Sequence, residues 1–310
     1  MDKVTVDEVK REGVYGTPPA ELVSPAEDAI QFSPLIPGAE TLDLWGEATL
    51  GGMVVLAPPG TIERRYTLAL ALKALAPGAR LTVLAPKDKG GSRLGKELAR
   101  FGCVVTETAR RHYRICVCER PATLAGLEEA LAEGRMRLVE TLGLWSQPGV
   151  FSWNRIDPGS ALLARELPVL SGRGADIGCG IGYLALGILK SPKVERLTLI
   201  DIDRRAVEAA RRNLDDPRVT VRWDDVRKSG TQLTGLDFVV MNPPFHDGGA
   251  EDQALGQSFI RRAAEALRPS GVCWLIANRH LPYEAVLKSH FKRAALKVEA
   301  EGYKLYEAHR

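Results

Sequence analysis

The chain has 310 residues, of which 45% are hydrophobic and 26% charged, with a formal net charge of +3. That length allows roughly two domains of ordinary size, and that composition supports a packed core rather than a disordered chain. No apolar run approaches the roughly 20 residues that span a bilayer, and the charged start MDKVTVDEVKREG lacks the apolar stretch of a secretory signal.

Five cysteines without framework spacing point to reduced thiols and a cytoplasmic setting. Cys116 and Cys118 alternate as on a strand and read as packing residues, so no metal site is expected. The charge is unevenly spread. Residues 64–120 hold 13 Lys/Arg and 4 Asp/Glu, a balance of +9, which leaves −6 for the rest. Such a block fits either an anionic polymer or the solvated faces of two helices.

In chain order, the first half alternates strands and helices. GGMVVLAP (51–58) reads as a strand, RRYTLALALKAL (64–75) as a helix stopped by Pro-Gly, and RLTVLAP (80–86) as the next strand. KDKGGSR (87–93) is a loop carrying Lys87, Lys89 and Arg93, and LGKELARFG (94–102) is a helix. Two alternating runs, CVVTET and YRICVCER, follow, and then a helix over 121–134. A boundary near residue 135 separates domains over 1–135 and 136–310.

The second half repeats the rhythm. Strands are expected at 174–178, 196–201, 219–225, 236–242 and 271–278, and helices at 182–190, 204–214, 251–267 and 283–291. KVEAEGYKLYEAH closes the chain as a hairpin bent at Glu301-Gly302. This alternation implies a doubly wound α/β sheet, whose ligand crevice lies at the carboxyl ends of the strands. The suggestive residues stand at those ends: Asp176 and Gly178, Asp201, Asp225 and Asn242.

The loop Asp176-Ile177-Gly178-Cys179-Gly180-Ile181-Gly182 brings backbone close to a ligand without Cβ atoms in the way. It departs from the G-x-G-x-x-G spacing of nicotinamide-cofactor sites, because Tyr183 stands where the third glycine is needed. A carboxylate at Asp201 can accept from both ribose hydroxyls, whereas Asp203 reads as a helix cap. Asp225 can accept from an adenine amine, with Asp224 pointing the other way. MNPPFHDGG (241–249) ends a buried strand with two prolines that cannot continue a ladder.

DIGCGIG, IDID, WDD and NPPF, in this order, resemble the motifs of S-adenosylmethionine-dependent methyltransferases with a Rossmann-like fold. GVFSWNRIDPGSALL (149–163), NPPFHDGG and ANRHLPYEAVL (277–287) resemble the small-subunit ribosomal RNA guanine-N2 methyltransferase C family and its large-subunit relative. The resemblance covers residues 50–310 and is strongest in the second half. It implies two tandem Rossmann-like methyltransferase domains, the first degenerate and serving RNA binding or support.

It further implies S-adenosylmethionine as cofactor, ribosomal RNA or the small ribosomal subunit as partner, and a monomer that does not engage membranes. Cofactor contacts are expected from Asp176, Gly178, Gly180, Gly182, Asp201, Asp225 and Asn242, and catalytic contacts from Asn242, Pro243, Pro244 and Phe245. From the resemblance alone, Asp157 and Ser160 support the cofactor end. Asn242 Oδ1 and the Pro243 carbonyl can accept from the guanine amine, and Phe245 can stack on the base. His246-Asp247 reads as loop shape or RNA contact rather than a proton relay.

Extracting a stacked base costs a few kcal/mol, and stacking on an aromatic returns about 1–3 kcal/mol. Affinity must therefore come from phosphate contacts, which Lys87, Lys89 and Arg93 can supply. Large-subunit RNA, glutamine-N5 or adenine-N6 methylation, and a non-catalytic RNA-binding scaffold remain alternatives.

Overall fold

A computed structural model of the chain describes residues 11–228, 233–244, 246–247, 250–251 and 253–310. The chain divides into two compact units between Arg135 and Met136.

The first unit comprises β1 (Glu12–Tyr15), β2 (Ile30–Phe32), β3 (Leu50–Leu56), α1 (Thr61–Ala74), β4 (Leu75–Pro86), α2 (Leu94–Arg100), β5 (Thr106–Arg110), β6 (Tyr113–Glu119) and α3 (Leu127–Gly134). Its sheet order is β2-β1-β3-β4-β6-β5. The first four strands are parallel and the last two antiparallel. Leu68 and Leu72 of α1 pack on Met53, Val55, Leu81 and Val83, and Cys116 and Cys118 join the same core.

Four details differ from the sequence expectation. β1 and β2 are new, being too short to show periodicity. Pro77-Gly78 marks a bulge inside β4 rather than a gap before it, since Leu50 pairs with Leu75 while Gly52 pairs with Arg80. The helix expected over 121–134 forms only at Leu127–Gly134, and the strand expected over 103–108 at Thr106–Arg110.

The second unit contains β7 (Arg137–Val139), β8 (Leu144–Ser146), α4 (Pro158–Glu166), β9 (Gly172–Ile177), α5 (Tyr183–Ile188), β10 (Val194–Asp201), α6 (Arg204–Asn213), β11 (Val219–Trp223) and β12 (Leu236–Met241). It continues with β13 (His246–Asp247), β14 (Ala250–Glu251), α7 (Gln253–Ala266), β15 (Leu267–Asn278), α8 (Glu284–His290), β16 (Arg293–Ala300) and β17 (Tyr303–His309). The sheet order is β11-β10-β9-β12-β15-β17-β16. β11 through β15 run parallel, and β17 is antiparallel to β15 and β16.

Strand order reverses between β9 and β12, which opens a crevice at their carboxyl ends. Both faces of the sheet are covered. On β12, Val239 and Met241 enter one core and Phe238 and Val240 the other, so the strand reads as an unbroken apolar run. Among the described residues, no helix is long and apolar enough to cross a membrane.

Packing at the strand reversal leaves no slack. A Cβ on Gly174 of β9 would lie 2.1 Å from the ring of Phe238, which is 1% exposed. Gly174→Ala should therefore destabilise the chain by about 1–3 kcal/mol, read as a lower denaturation midpoint, while an unchanged midpoint would mean that the two strands are less tightly apposed.

Candidate active site

β9 hands the chain to α5 through a loop in which Gly178, Gly180 and Gly182 all have positive φ, at 77°, 53° and 85°. Side chains with a Cβ rarely adopt this region. The three glycines otherwise do different work. A Cβ on Gly182 would lie 2.8 Å from Leu214 Cδ1, so that position serves packing against the end of α6. A Cβ on Gly178 would lie 3.3 Å from Phe259. At Gly180 nothing lies within 4 Å, and the backbone is bare toward a cavity.

That cavity holds about 550 Å³ of empty space when counted out into its solvent mouth. Gly178, Gly180 and Asn242 line it. Asp176, Gly182, Asp201, Asp225, Pro243 and Pro244 do not line it.

Asp201 ends β10 and holds the loop in place. Its Oδ2 accepts from Gly180 N–H at 2.8 Å and its Oδ1 from Asp203 N–H at 2.9 Å. Burial pushes its pKa up to about 6, against the opposing effect of these N–H donors. Asp203 caps α6, as its sequence position predicted, accepting from Arg205 N–H at 3.0 Å.

Asp176 lies beneath the loop, fully buried. Neither carboxylate oxygen meets a hydrogen-bond donor among the described residues. Burial, reinforced by the nearby Asp201 charge, pushes its pKa up to about 8. Asp225 is also buried, but Arg227 grips it through Nε at 2.7 Å and Nη2 at 2.8 Å. Burial raises its pKa and the Arg227 contacts outweigh this, leaving it below the usual carboxylate range. Asp224 is engaged separately, by Arg222 at 2.7 Å.

The fourth strand end carries Asn242. Its Nδ2 donates to Asp157 Oδ2 at 2.8 Å and to Ser160 Oγ at 2.9 Å. Asp157 is the N-cap of α4 and accepts from Ser160 N–H at 2.8 Å, with Pro158 at the first helical position. An ionised carboxylate can only accept, so the amide nitrogen must face Asp157, and Oδ1 is the group left for a ligand. Pro243 is buried and Pro244 half-buried, its Cδ at 4.0 Å from the Cβ position of Gly178. Phe245 lies outside the described residues, and the His246-Asp247 side chains are likewise not described.

The segment before α4 supplies a wall that sequence reasoning did not assign. Leu142, Leu144, Phe151, Arg155 and Ile156 line the cavity, and Phe151 is 61% exposed. Asn213 fastens this segment to the glycine loop. Its Oδ1 accepts from Trp145 N–H at 2.7 Å, and its Nδ2 donates to the carbonyls of Trp145 at 3.0 Å and Ile181 at 2.9 Å. Arg212 lies over the Trp145 ring at 4.8 Å and Arg137 over Trp153 at 5.0 Å. No local pattern marks Asn213, because its partners lie 68 and 32 residues away.

The glycine loop and the held amide of Asn242 line one cavity, and Asp201 braces that loop. The methyltransferase small domain model matches residues 141–307. A ribosomal RNA small subunit methyltransferase C of Pseudomonas aeruginosa is 32% identical over 299 residues, covering 92% of this chain and 87% of the relative. One of Shewanella sediminis is 29% identical, over 90% of this chain and 80% of the relative. A T. thermophilus 16S rRNA N2 methyltransferase, solved in complex with AdoMet and guanosine, shares the fold with a TM-score of 0.77 at 24% identity, over 99% of this chain and 90% of that one. The chain belongs to the ribosomal RNA small subunit methyltransferase C family.

Asp176 makes the site costly to the fold. Its pKa of about 8 lies above the ordinary carboxylate value of 3.8, so folding favours the protonated form. Its stabilising share is complete below about pH 4 and is lost as pH rises through about 8. Asp176→Asn should match the wild type near pH 4 and unfold at a higher temperature at pH 8, with the gap widening between. A gap independent of pH would mean that Asp176 does not titrate in this window.

Proposed function

We propose that the second unit transfers a methyl group from S-adenosylmethionine to the exocyclic N2 amine of a guanine in 16S ribosomal RNA. The observation that carries this reading is Asn242, which lines the cavity and whose Nδ2 is held by Asp157 and Ser160, leaving Oδ1 as the acceptor for a ligand. The activities named for the Pseudomonas, Shewanella and T. thermophilus proteins agree with it.

The residues present fit the cofactor. Gly180 leaves bare backbone toward the cavity, and buried Asp176 has two oxygens in want of donors. Gly178 and Gly180 would hold the cofactor through backbone, and Gly182 keeps the loop seated on α6. Asp201 would accept from the ribose hydroxyls with its remaining lone pairs, and Asp176 would serve a cationic group. Asp225 would take the adenine amine beside the Arg227 contact. S-adenosylmethionine, when bound, supplies an electrophilic methyl group on a sulfonium.

A guanine amine is a weak nucleophile because its lone pair is delocalised into the ring, so alignment matters more than a strong base. Asn242 Oδ1 and the Pro243 carbonyl would each accept one N–H of the amine and so orient its nitrogen. The two prolines make that carbonyl rigid. This is catalysis by prior positioning.

The first unit serves RNA binding through Lys87, Lys89 and Arg93, of which Lys87 and Arg93 are exposed. It holds no cofactor on this reading. Where β3 ends, the buried Arg64 guanidinium donates to the carbonyl of Pro59 at 2.7 Å and pairs with Glu97 at 2.7 and 2.8 Å. A side chain thus fills the place where a glycine loop would admit a ligand.

Labelled cofactor incubated with total RNA, total protein or DNA tests the assignment. Label should enter nuclease-sensitive RNA as N2-methylguanosine, and label in protein, or nowhere, would overturn it. Asn242→Ala should lower transfer by at least about 100-fold, as loss of an aligning group does, while cofactor titration changes little. A near-normal rate would sink the positioning role. Calorimetry on the full chain should give one cofactor per chain, and Asp201→Ala should abolish it. A second site, or one surviving that substitution, would contradict the division between the units.

A further inference from the structure

The first unit's sheet ends in a two-residue hairpin of unusual composition. β5 and β6 pair from Thr106↔Val117 to Arg110↔Tyr113, leaving Arg111 and His112 as the turn. Both have positive φ, 47° and 65°. That geometry suits the right-handed twist of the strands, but it favours Asn-Gly because a Cβ is strained in this region. Another two-residue turn among the described residues follows the preference at one position: Glu301-Gly302, with φ of 54° and 84°, closes Ala300↔Tyr303.

Nothing in the packing compels Arg111 and His112. Both are exposed, and β5 is exposed at every residue. Arg111 makes only a surface ion pair with Glu21 at 3.6 Å, a contact of little worth in water. Strain kept at an exposed turn, against a simple local alternative, points to a function for the side chains.

The fold shows what they join. β6 pairs antiparallel with β4, so Tyr113 stands opposite Pro86 and the turn lies beside the loop that leaves β4. Lys87 N–H donates to the His112 carbonyl at 2.8 Å, tying loop and turn together. Gly91 seats the loop closely, since a Cβ there would lie 2.6 Å from the Ala85 carbonyl oxygen. Lys87, Lys89, Arg93, Arg110, Arg111 and His112 thereby gather at one end of the sheet. The acids nearby are Asp88 in the loop, Glu21 against Arg111, and Glu107 against Arg114 at 3.5 Å.

We infer that the Arg110–His112 hairpin tip and the Lys87–Arg93 loop form one binding surface for the sugar–phosphate backbone of folded RNA, with the tip as its rigid element. The inference rests on the proposed reading that the substrate is RNA. Arginine on a short turn offers forked donors to phosphate with little freedom to lose, which flexible lysines do not. Phosphate contacts are blind to base sequence, so this surface contributes affinity while the choice of guanine is left to the cavity.

Arg111→Asn/His112→Gly on the full chain separates charge from fold. The new turn suits the backbone better, so the unfolding temperature should stay level or rise, and cofactor affinity should not change. RNA affinity should fall by about three- to tenfold near 0.1 M salt, and the slope of log K against log salt should become shallower by about one. Arg110→Glu/Arg111→Glu should weaken RNA binding further. Wild-type affinity and slope in both variants would overturn the surface, as would loss of binding to an acidic protein with RNA binding intact. A lower unfolding temperature for the Asn-Gly variant would overturn the strain. Wild-type methyl transfer to RNA, run in parallel, keeps the outcomes apart: if it fails, the proposed function fails, and if it succeeds while the variants bind as wild type, only the hairpin assignment does.

Discussion

The hydrogen bonds from Asn242 Nδ2 to Asp157 Oδ2 and Ser160 Oγ set the orientation on which the site depends. A hydrogen bond to a charged group is worth about 1.5–3 kcal/mol, and turning the amide over would bring Oδ1 against the carboxylate. One orientation is therefore strongly preferred before any ligand arrives. The bond also constrains the chain. Asp157 must cap α4 and reach the end of β12 at once, across 85 residues of sequence. The segment before α4 is thereby placed beside the glycine loop, where Asn213 fastens it a second time.

The same strand ends hold a group that is costly to bury. Asp176 is buried without donors among the described residues, and its neighbour Asp201 raises its pKa further. A core built only for stability would carry an apolar residue there. Sites commonly hold such costs because the unsatisfied group is satisfied by the ligand. Asp201 differs in degree: two backbone N–H groups, from Gly180 and Asp203, already support its charge. One carboxylate therefore braces the loop, while the other is left with its acceptor capacity unused.

Much of this was legible in the sequence wherever a local pattern carried it. The apolar run LDFVVM signalled a strand covered on both faces, and Asp203 announced the start of α6. The strand-end positions of Asp176, Asp201 and Asn242 followed from the alternation of elements, whereas the strand expected over 219–225 stops at Trp223 and leaves Asp225 two residues beyond its end. What escaped was set by distant partners. The three glycines look equivalent in sequence, yet only Leu214 at the end of α6 shows that Gly182 serves packing. Asn213 and Arg64 resemble surface residues until partners 68 and 33 residues away engage them. β1 and β2, of four and three residues, are too brief to display a period.

The two sheets answer one architectural problem in opposite ways. A parallel strand end leaves backbone groups facing a crevice. The second unit meets this with glycines and carboxylates that a ligand can complete. The first meets it with Arg64, whose guanidinium satisfies the Pro59 carbonyl and Glu97 from within. Breaking one partner of such a buried pair leaves the other charge uncompensated, at a cost of about 3–5 kcal/mol. Reopening that crevice would thus require changing Arg64 and Glu97 together as well as building a glycine loop. On the proposed reading, a unit closed in this way keeps its sheet but not its ligand chemistry, and what it offers is surface. The cationic loop and hairpin at the end of that sheet are where a surface role can be exercised without disturbing the core beneath.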